Sequence, residues 1–332
     1  MLTFLCVADV HIKVHADIPL EWQQTRYRQL FKRITAACLA NQAALILAGD
    51  LLDSIRPKRE ELQLFFELMQ GLQRVDITAY LVSGNHETVA KGVSLLDYLG
   101  LEAYPNVVYR PAEPILWGDK VALHLLNHDS LHQPPTALPA YTNILVSHFR
   151  CNYNPFVREE IDVSALVGEF DLVIAGDIHD AFTLDNKVVY TNNPINKEFE
   201  ATPNCGWVWL TVDGAGQTTG ILREATRFPA LRQIHCSADQ WPVELPQNDF
   251  CRVQITGSVE DLRNLPDASD LLVKLDKVPD TLQMAVPEGA DARLEAAGGL
   301  HEELPAYLAT LADLDETRVA DMMTFFFQEL AV

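Results

Sequence analysis

Three apolar runs in the first third of the chain, Leu2–Ala8, Ala44–Ala48 and Ile77–Val82, each predict a buried strand. Between them the apolar residues change to a spacing of three and four. Tyr27, Leu30, Phe31, Ile34, Ala37 and Cys38 follow Pro19, and Leu62, Phe65, Phe66, Met69 and Leu72 follow Pro57, so two helices each packed on one face are expected. A shorter helix is expected over Val93–Leu99. The resulting β-α-β-α-β-α order is that of a mostly parallel sheet with helices on its faces.

From Asn106 the pattern changes. Short apolar runs at Val107–Val108, Val121–Leu126, Ile144–Val146, Leu172–Ala175, Val188–Tyr190, Gly206–Val212 and Gly220–Leu222 are separated by Pro, Gly and Asn turns. One modest helix, near Val157–Val167, interrupts them. A second, strand-rich half packed against the first makes the expected fold α/β, with two stacked mixed sheets and helices outside. Loop signals gather over Arg227–Pro246, so a first domain is expected at 1–226. Phe250–Thr256 then alternates, with Cys251, Val253 and Ile255 on one face, as a half-buried strand does. With a helix at Val259–Leu265 and a strand at Leu271–Leu275 it forms a small α+β module at 227–280. Residues 281–332 are expected to be a linker and a two-helix tail, with Val319, Met322, Met323, Phe326 and Leu330 in one stripe.

Composition narrows the class. Of the 332 residues, 48% are apolar and 21% charged, ordinary values for a globular protein. No run approaches the ~20 apolar residues of a membrane span. Leu2–Ala8 lacks the basic flank and cleavage site of a signal peptide and runs straight into Asp9 and His11. The six cysteines show no C-x-x-C pair, so reduced thiols and a cytoplasmic location are expected. The net charge of −21 excludes nucleic-acid binding by bulk electrostatics; a nucleic-acid substrate would need metal ions, a local cationic path or a basic partner.

Candidate chemistry sits where the apolar runs end. Asp9 and His11 follow the first strand as i, i+2, which on an extended chain point the same way. Asp177 and His179 repeat that spacing. Asp50 follows the second strand, Asn85 the third, and His148 ends the run from Asn143. Singly, each has an ordinary reading: an aspartate at a strand end caps a turn, and a lone histidine packs in a core or loop. Jointly, seven oxygen and nitrogen donors at five strand ends can converge on one sheet edge and hold two metal ions sharing a carboxylate. Mixed Asp, His and Asn donors suit Mn²⁺, Fe²⁺ or Zn²⁺.

These motifs, Asp9-x-His11, Gly49-Asp50-x-x-Asp53, Gly84-Asn85-His86-Glu87, His148 and Gly176-x-x-His179, resemble the signature of calcineurin-like binuclear metallophosphoesterases over roughly residues 1–225. Gly49-Asp50-Leu51-Leu52-Asp53-Ser54-Ile55-Arg56-Pro57 is similar to the second motif of SbcD-type DNA repair and phage recombination nucleases. The resemblance implies a four-layer αββα fold with a capping module and ATPase-docking helices. It implies one metal on Asp9, His11, Asp50 and His179, a second on Asp50, Asn85, His148 and Asp177, and His86 as general acid for the leaving oxygen. In-line attack at phosphorus by a water shared between the ions would follow. Where the family reads G-H-x-H this chain has Asp177, which makes the second site more anionic and favours Mn²⁺ or Mg²⁺. Asp53, Arg56 and Lys58 are the candidate substrate contacts, the two cations meeting a nucleic-acid backbone. His128 is a candidate for the layer behind the ligands; His15, His124, His132, His235 and His301 belong to no constellation.

The implied activity is a Mn²⁺-dependent DNA phosphodiesterase acting at DNA ends, a homodimer partnered by an SbcC-type ABC ATPase. A phosphatase or small-molecule phosphodiesterase of the same fold is the alternative. Glu87 leans towards it, because Gly-Asn-His-Glu is common among protein phosphatases, while the absence of Arg-Gly after Asp53 leans away.

Overall fold

The computed structural model describes residues 1–151, 159–184, 186–200, 204–265 and 272–279. The first strands and helices are β1 (Leu2–Val7), α1 (Leu20–Asn41), β2 (Ala44–Ala48), α2 (Arg59–Arg74) and β3 (Ala79–Val82). A small hairpin, β4 (Thr88–Ala90) and β5 (Val93–Ser94), precedes β6 (Val107–Tyr109), β7 (Ile115–Trp117) and β8 (Val121–Leu126). Then come β9 (Thr142–His148), α3 (Val163–Glu169), β10 (Leu172–Gly176), β11 (Thr183–Leu184) and β12 (Val188–Tyr190). The described chain closes with β13 (Gly206–Val212), β14 (Thr218–Ala225), β15 (Leu231–Ser237), β16 (Phe250–Gly257), α4 (Val259–Asn264) and β17 (Val273–Pro279).

Two six-stranded sheets dominate, in the orders β14-β13-β1-β2-β3-β6 and β11-β12-β10-β9-β8-β7. Strand alternation builds three cores from them. Leu5, Val7, Leu45, Leu47, Ala79 and Leu81 point to α1 and α2. Their neighbours Phe4, Cys6, Ile46, Ala48, Tyr80 and Val82 meet Leu123, Ile144, Val146, Ile174 and Val189 between the sheets. On the far side Leu145, Val173 and Val188 pack with Val163, Leu166 and Phe170 of α3 and its C-terminal end. The architecture is therefore four layers, α-β-β-α. Central strands covered on both faces need apolar side chains at every position, which is why β2 and β3 read as unbroken runs.

Several boundaries differ from expectation. Val93–Leu99 is helical only as a 3-10 turn at Leu95–Tyr98. Val93 and Ser94 pair back on the preceding strand, and the Ser94 hydroxyl accepts the Leu96 N–H at 3.2 Å, so the turn starts late. The helix expected at Val157–Val167 runs Val163–Glu169, where Asp162 caps it by accepting the Ser164 N–H at 2.9 Å. The hairpin β13–β14 belongs to the first sheet, β13 pairing antiparallel with β1, so the chain's two halves do not form one sheet each. The strands Ile115–Trp117 and Leu231–Ser237 were not expected; the second lies inside the stretch that reads as loop.

Over its described residues the chain divides into two compact units. The larger comprises Met1–His235, Pro242–Gln254 and Asp267–Asp276, the smaller Cys236–Trp241, Ile255–Pro266 and Lys277–Val332. β15, β16 and β17 pair in that order. In the smaller unit Ser258 caps α4 by accepting the Asp261 N–H at 3.1 Å. The expected linker and helical tail lie outside the described residues. Among the described residues, no helix is long and apolar enough to cross a membrane.

Candidate metal centre

The parallel strands β1, β2, β3, β9 and β10 end at one edge of the stacked sheets, and the turns beyond them carry the polar residues. Asp9, His11, Asp50 and Asp177 all have positive φ, 55°, 45°, 51° and 92°. Left-handed backbone at a non-glycine residue costs about 1–2 kcal/mol each, and such outliers cluster at functional sites. Asp9 and His11 thus meet through a left-handed turn, not through the extended alternation that their spacing suggests. The turn is held by Asp9 N–H to Gly49 O (3.1 Å) and His11 N–H to Asp50 O (2.9 Å). From α1, the Tyr27 hydroxyl donates to His11 O at 2.8 Å.

Two glycines let the turns approach. Gly49 has φ 88°, and a Cβ there would collide with the His148 ring. Gly84 keeps ordinary φ, but its Cβ would collide with the Asp50 carboxylate and lie 2.6 Å from the Asp50 nitrogen. Glu87 ties the same turns together. It is fully buried, accepting the Leu52 N–H at 2.8 Å and the Gly84 N–H at 2.9 Å. Burial, reinforced by Asp50, raises its pKa to about 7.

All seven expected donors come together. His11 Nε2 lies 3.2 Å from His179 Nε2, 3.5 Å from Asp50 Oδ2 and 3.8 Å from Asp9 Oδ1; His179 Nε2 is 3.6 Å from the same Asp9 oxygen. His148 Nε2 lies 3.3 Å from Asp50 Oδ2, 3.1 Å from Asn85 Oδ1, 3.7 Å from Asp177 Oδ1 and 4.0 Å from Asp9 Oδ1. Donor atoms of Asp9, His11 and His179, and of Asp9, Asp50 and His148, lie within the span of one ion. The histidine tautomers agree. A carbonyl can only accept, so His148 Nδ1–H donates to Ala48 O at 2.9 Å, and His86 Nδ1–H donates to Asp53 O at 2.8 Å. His11 Nδ1 faces the Asp53 carboxylate at 3.1 Å. In each ring Nε2 is left for the pocket, the arrangement that orients metal-binding imidazoles.

The electrostatics point the same way. Burial opposes a charged His148, yet Asp50, Asp177 and Asp9 hold its pKa well above the ordinary value. Burial also pushes the Asp9 and Asp50 carboxyls up, and the surrounding imidazoles outweigh it and bring both down. The carboxylates thus favour a proton on the buried His148, and a divalent cation would take the place of such protons among these hard and borderline donors.

Among the other candidates, Asp53 turns inward, with Lys13 Nζ 3.0 Å from Oδ2. Lys58 is engaged, its ammonium donating to Val14 O. Arg56 is exposed. His128 accepts from or donates to Thr88 Oγ1 at 3.0 Å, and its ring centre is 6.4 Å from that of His148. His124 is buried against Asn143 Oδ1 at 3.0 Å, and His15 bonds the carbonyl of Lys197 at 3.2 Å. Besides Lys13, two more residues were not expected at the site. Arg150 places Nε 3.2 Å from Asp177 Oδ2, offsetting that carboxylate's charge. Lys197 places Nζ 3.2 Å from His11 Nε2. A lone cation in a loop carries no periodic signal, so only the fold reveals either.

Comparison with known proteins identifies relatives of the chain. A curated relative, "Probable exonuclease subunit 1" of Escherichia phage T5, is 28% identical over 287 residues, 82% of this chain and 84% of that one. "DNA double-strand break repair protein Mre11" of Methanopyrus kandleri is 31% identical over 103 residues, 29% of this chain and 22% of that one. Residues 2–181 match the family described as "Calcineurin-like phosphoesterase". The chain belongs to this family of metal-dependent phosphoester hydrolases.

Proposed function

We propose that the chain is the nuclease subunit of an SbcCD-like complex, hydrolysing DNA phosphodiester bonds at DNA ends with Mn²⁺. The observation that carries this reading is a nearly full-length likeness to a phage exonuclease subunit, joined to a donor set for two ions. Asp9, His11, Asp50 and His179 would hold one ion, and Asp50, Asn85, His148 and Asp177 the other. When bound, the ions supply Lewis-acid activation of the phosphoryl group and of the attacking water.

The chain's own residues do the rest. The Asp50 carboxylate is fixed by the His86 N–H donating to Oδ1 at 3.0 Å, so one oxygen is anchored and the other faces the pocket. His86 is held through Nδ1 and is 35% exposed, which leaves Nε2 able to carry a proton to the departing alkoxide. Asp53 orients His11 from behind. Lys13, Arg150 and Lys197 at the site, with exposed Arg56 as a candidate backbone contact, would offset part of the −21 net charge; an SbcC-type ATPase and DNA-bound ions would supply the remaining affinity. A homodimer in the cytoplasm, a nuclease domain at 1–226, a capping domain at 227–280 and partner-docking helices in 281–332 complete the reading. Glu87, the residue that leans towards the phosphatase alternative, is buried between two turns, which suits a structural role rather than substrate selection.

The test offers the purified protein, with Mn²⁺, end-labelled duplex and single-stranded DNA beside bis- and mono-p-nitrophenyl phosphate. Cleavage of DNA and of the diester is expected. Hydrolysis of the monoester alone would overturn the nuclease reading.

A further inference from the structure

Lys197 is the least expected group at the centre. It comes from the loop after β12, 186 residues from His11 in sequence, and its side chain is 16% exposed. The loop is built to hold it. Buried Arg26 of α1 donates to both the main-chain and side-chain oxygens of Asn196, the latter at 2.6 Å. The Asn196 amide donates to Glu198 O and Leu231 O, each at 2.9 Å. His15 bonds the Lys197 carbonyl. Residues on both sides of Lys197 are thus fixed before any ligand arrives, as an ordered binding group requires.

Its charge is not used up by these contacts. Lys197 Nζ is 3.2 Å from His11 Nε2, 3.3 Å from His11 Nδ1 and 3.6 Å from Asp53 Oδ1. His11 Nδ1 lies 3.1 Å from that same Asp53 oxygen, and the other Asp53 oxygen takes Lys13 at 3.0 Å. One carboxylate therefore faces two ammonium groups and an imidazole. The acceptor nearest to Lys197 Nζ is the lone pair on His11 Nε2, with the Asp53 oxygen beyond hydrogen-bond range at 3.6 Å; Nε2 is the atom that an ion at the Asp9–His11–His179 group would take. With that lone pair committed, a mostly buried ammonium is left needing an anionic oxygen, since an unpaired buried charge is costly.

We infer that Lys197 is a substrate-binding residue, its ammonium paired with a non-bridging oxygen of the phosphate being hydrolysed. The inference rests on the phosphodiesterase reading and deepens it. Lys13, anchored on Asp53 and tied at 3.6 Å to exposed Glu198, is the lesser neighbour. A point ammonium suits one phosphate oxygen, where an arginine fork would bind two.

The test uses the full chain carrying Lys197→Gln, which puts a neutral polar head on a slightly shorter stem, and Lys197→Arg. Three quantities are read: Mn²⁺ content after dialysis, inorganic phosphate binding to the Mn²⁺-loaded protein by calorimetry, and kcat/KM on bis-p-nitrophenyl phosphate. Lys197→Gln should keep its Mn²⁺ while phosphate affinity and kcat/KM each fall about tenfold to a hundredfold, the loss of one charge-assisted hydrogen bond. Lys197→Arg should recover most of both. Unchanged phosphate affinity in Lys197→Gln at full Mn²⁺ content overturns the assignment, and so does loss of Mn²⁺ from it, which would make Lys197 part of the metal site. A wild-type protein that holds Mn²⁺ and binds phosphate but leaves the diester intact would count against the parent reading instead.

Discussion

Gly84→Ala isolates the packing of the two ligand-bearing turns from backbone strain. Gly84 has φ −101° and ψ −173°, a conformation open to alanine. The obstacle is Asp50, whose nitrogen and Cγ would lie 2.6 and 2.7 Å from the new methyl carbon, with the carboxylate oxygen closer still. Ordinary contact begins near 3.4 Å, so these Asp50 atoms must withdraw by about 0.7–0.8 Å, and the carboxylate oxygen by more. Asp50 cannot withdraw freely, because its oxygens are fixed by the His86 N–H and lie against His148. Overpacking of this kind costs about 1–3 kcal/mol of stability. A displacement approaching 1 Å at a reacting centre costs about a hundredfold in rate. Urea denaturation should therefore show a modest loss, and kcat/KM on bis-p-nitrophenyl phosphate with Mn²⁺ a loss of about two orders of magnitude. Wild-type activity and Mn²⁺ content in Gly84→Ala would refute the claim that Gly84 is needed to let Asp50 into the centre.

Glu87→Gln should destabilise the protein by about 1–3 kcal/mol in urea denaturation, because the amide can accept from Leu52 or Gly84 but not both; an unchanged midpoint would count against the pin. His86→Ala should lower kcat by about a hundredfold to ten-thousandfold at unchanged Mn²⁺ content, and loss of the metal would contradict its role as a proton donor. Burial pushes the Glu160 carboxyl up, but His128 and Arg150 more than offset this and bring it down to about 2. Its contribution to stability is thus complete above the ordinary carboxylate range and lost as the pH falls through about 4 towards 2. Glu160→Gln should be less stable than wild type near neutrality, with the gap closing below about pH 3; a constant gap would show that the ion pairs contribute nothing.

The strands were legible where burial on both faces leaves no room for polar residues, as in Ala44–Ala48. β7, three residues long, and β15, whose Arg232, Gln233 and His235 break the apolar run, carry too little pattern to be read. Which sheet a strand joins is set by partners far along the chain: Cys6 opposite Val208 could not be read from either segment. At the site, the donor residues announced themselves by following apolar runs. The geometry that gathers them did not, because Asp9, His11 and Asp50 occupy left-handed backbone, which is uncommon outside glycine and which spacing alone does not reveal. Lys197 and Arg150 stayed hidden because their role depends on nearness to His11 and Asp177 in space, which no local spacing encodes.

The central claim is that two cations share the pocket bounded by these strand ends. Anomalous diffraction from crystals soaked in Mn²⁺ tests it most directly. The expected result is two peaks, one among Asp9, His11 and His179 and one beside His148 and Asn85, with Asp50 between them. A pocket without anomalous density, or a peak held by other residues, would contradict it.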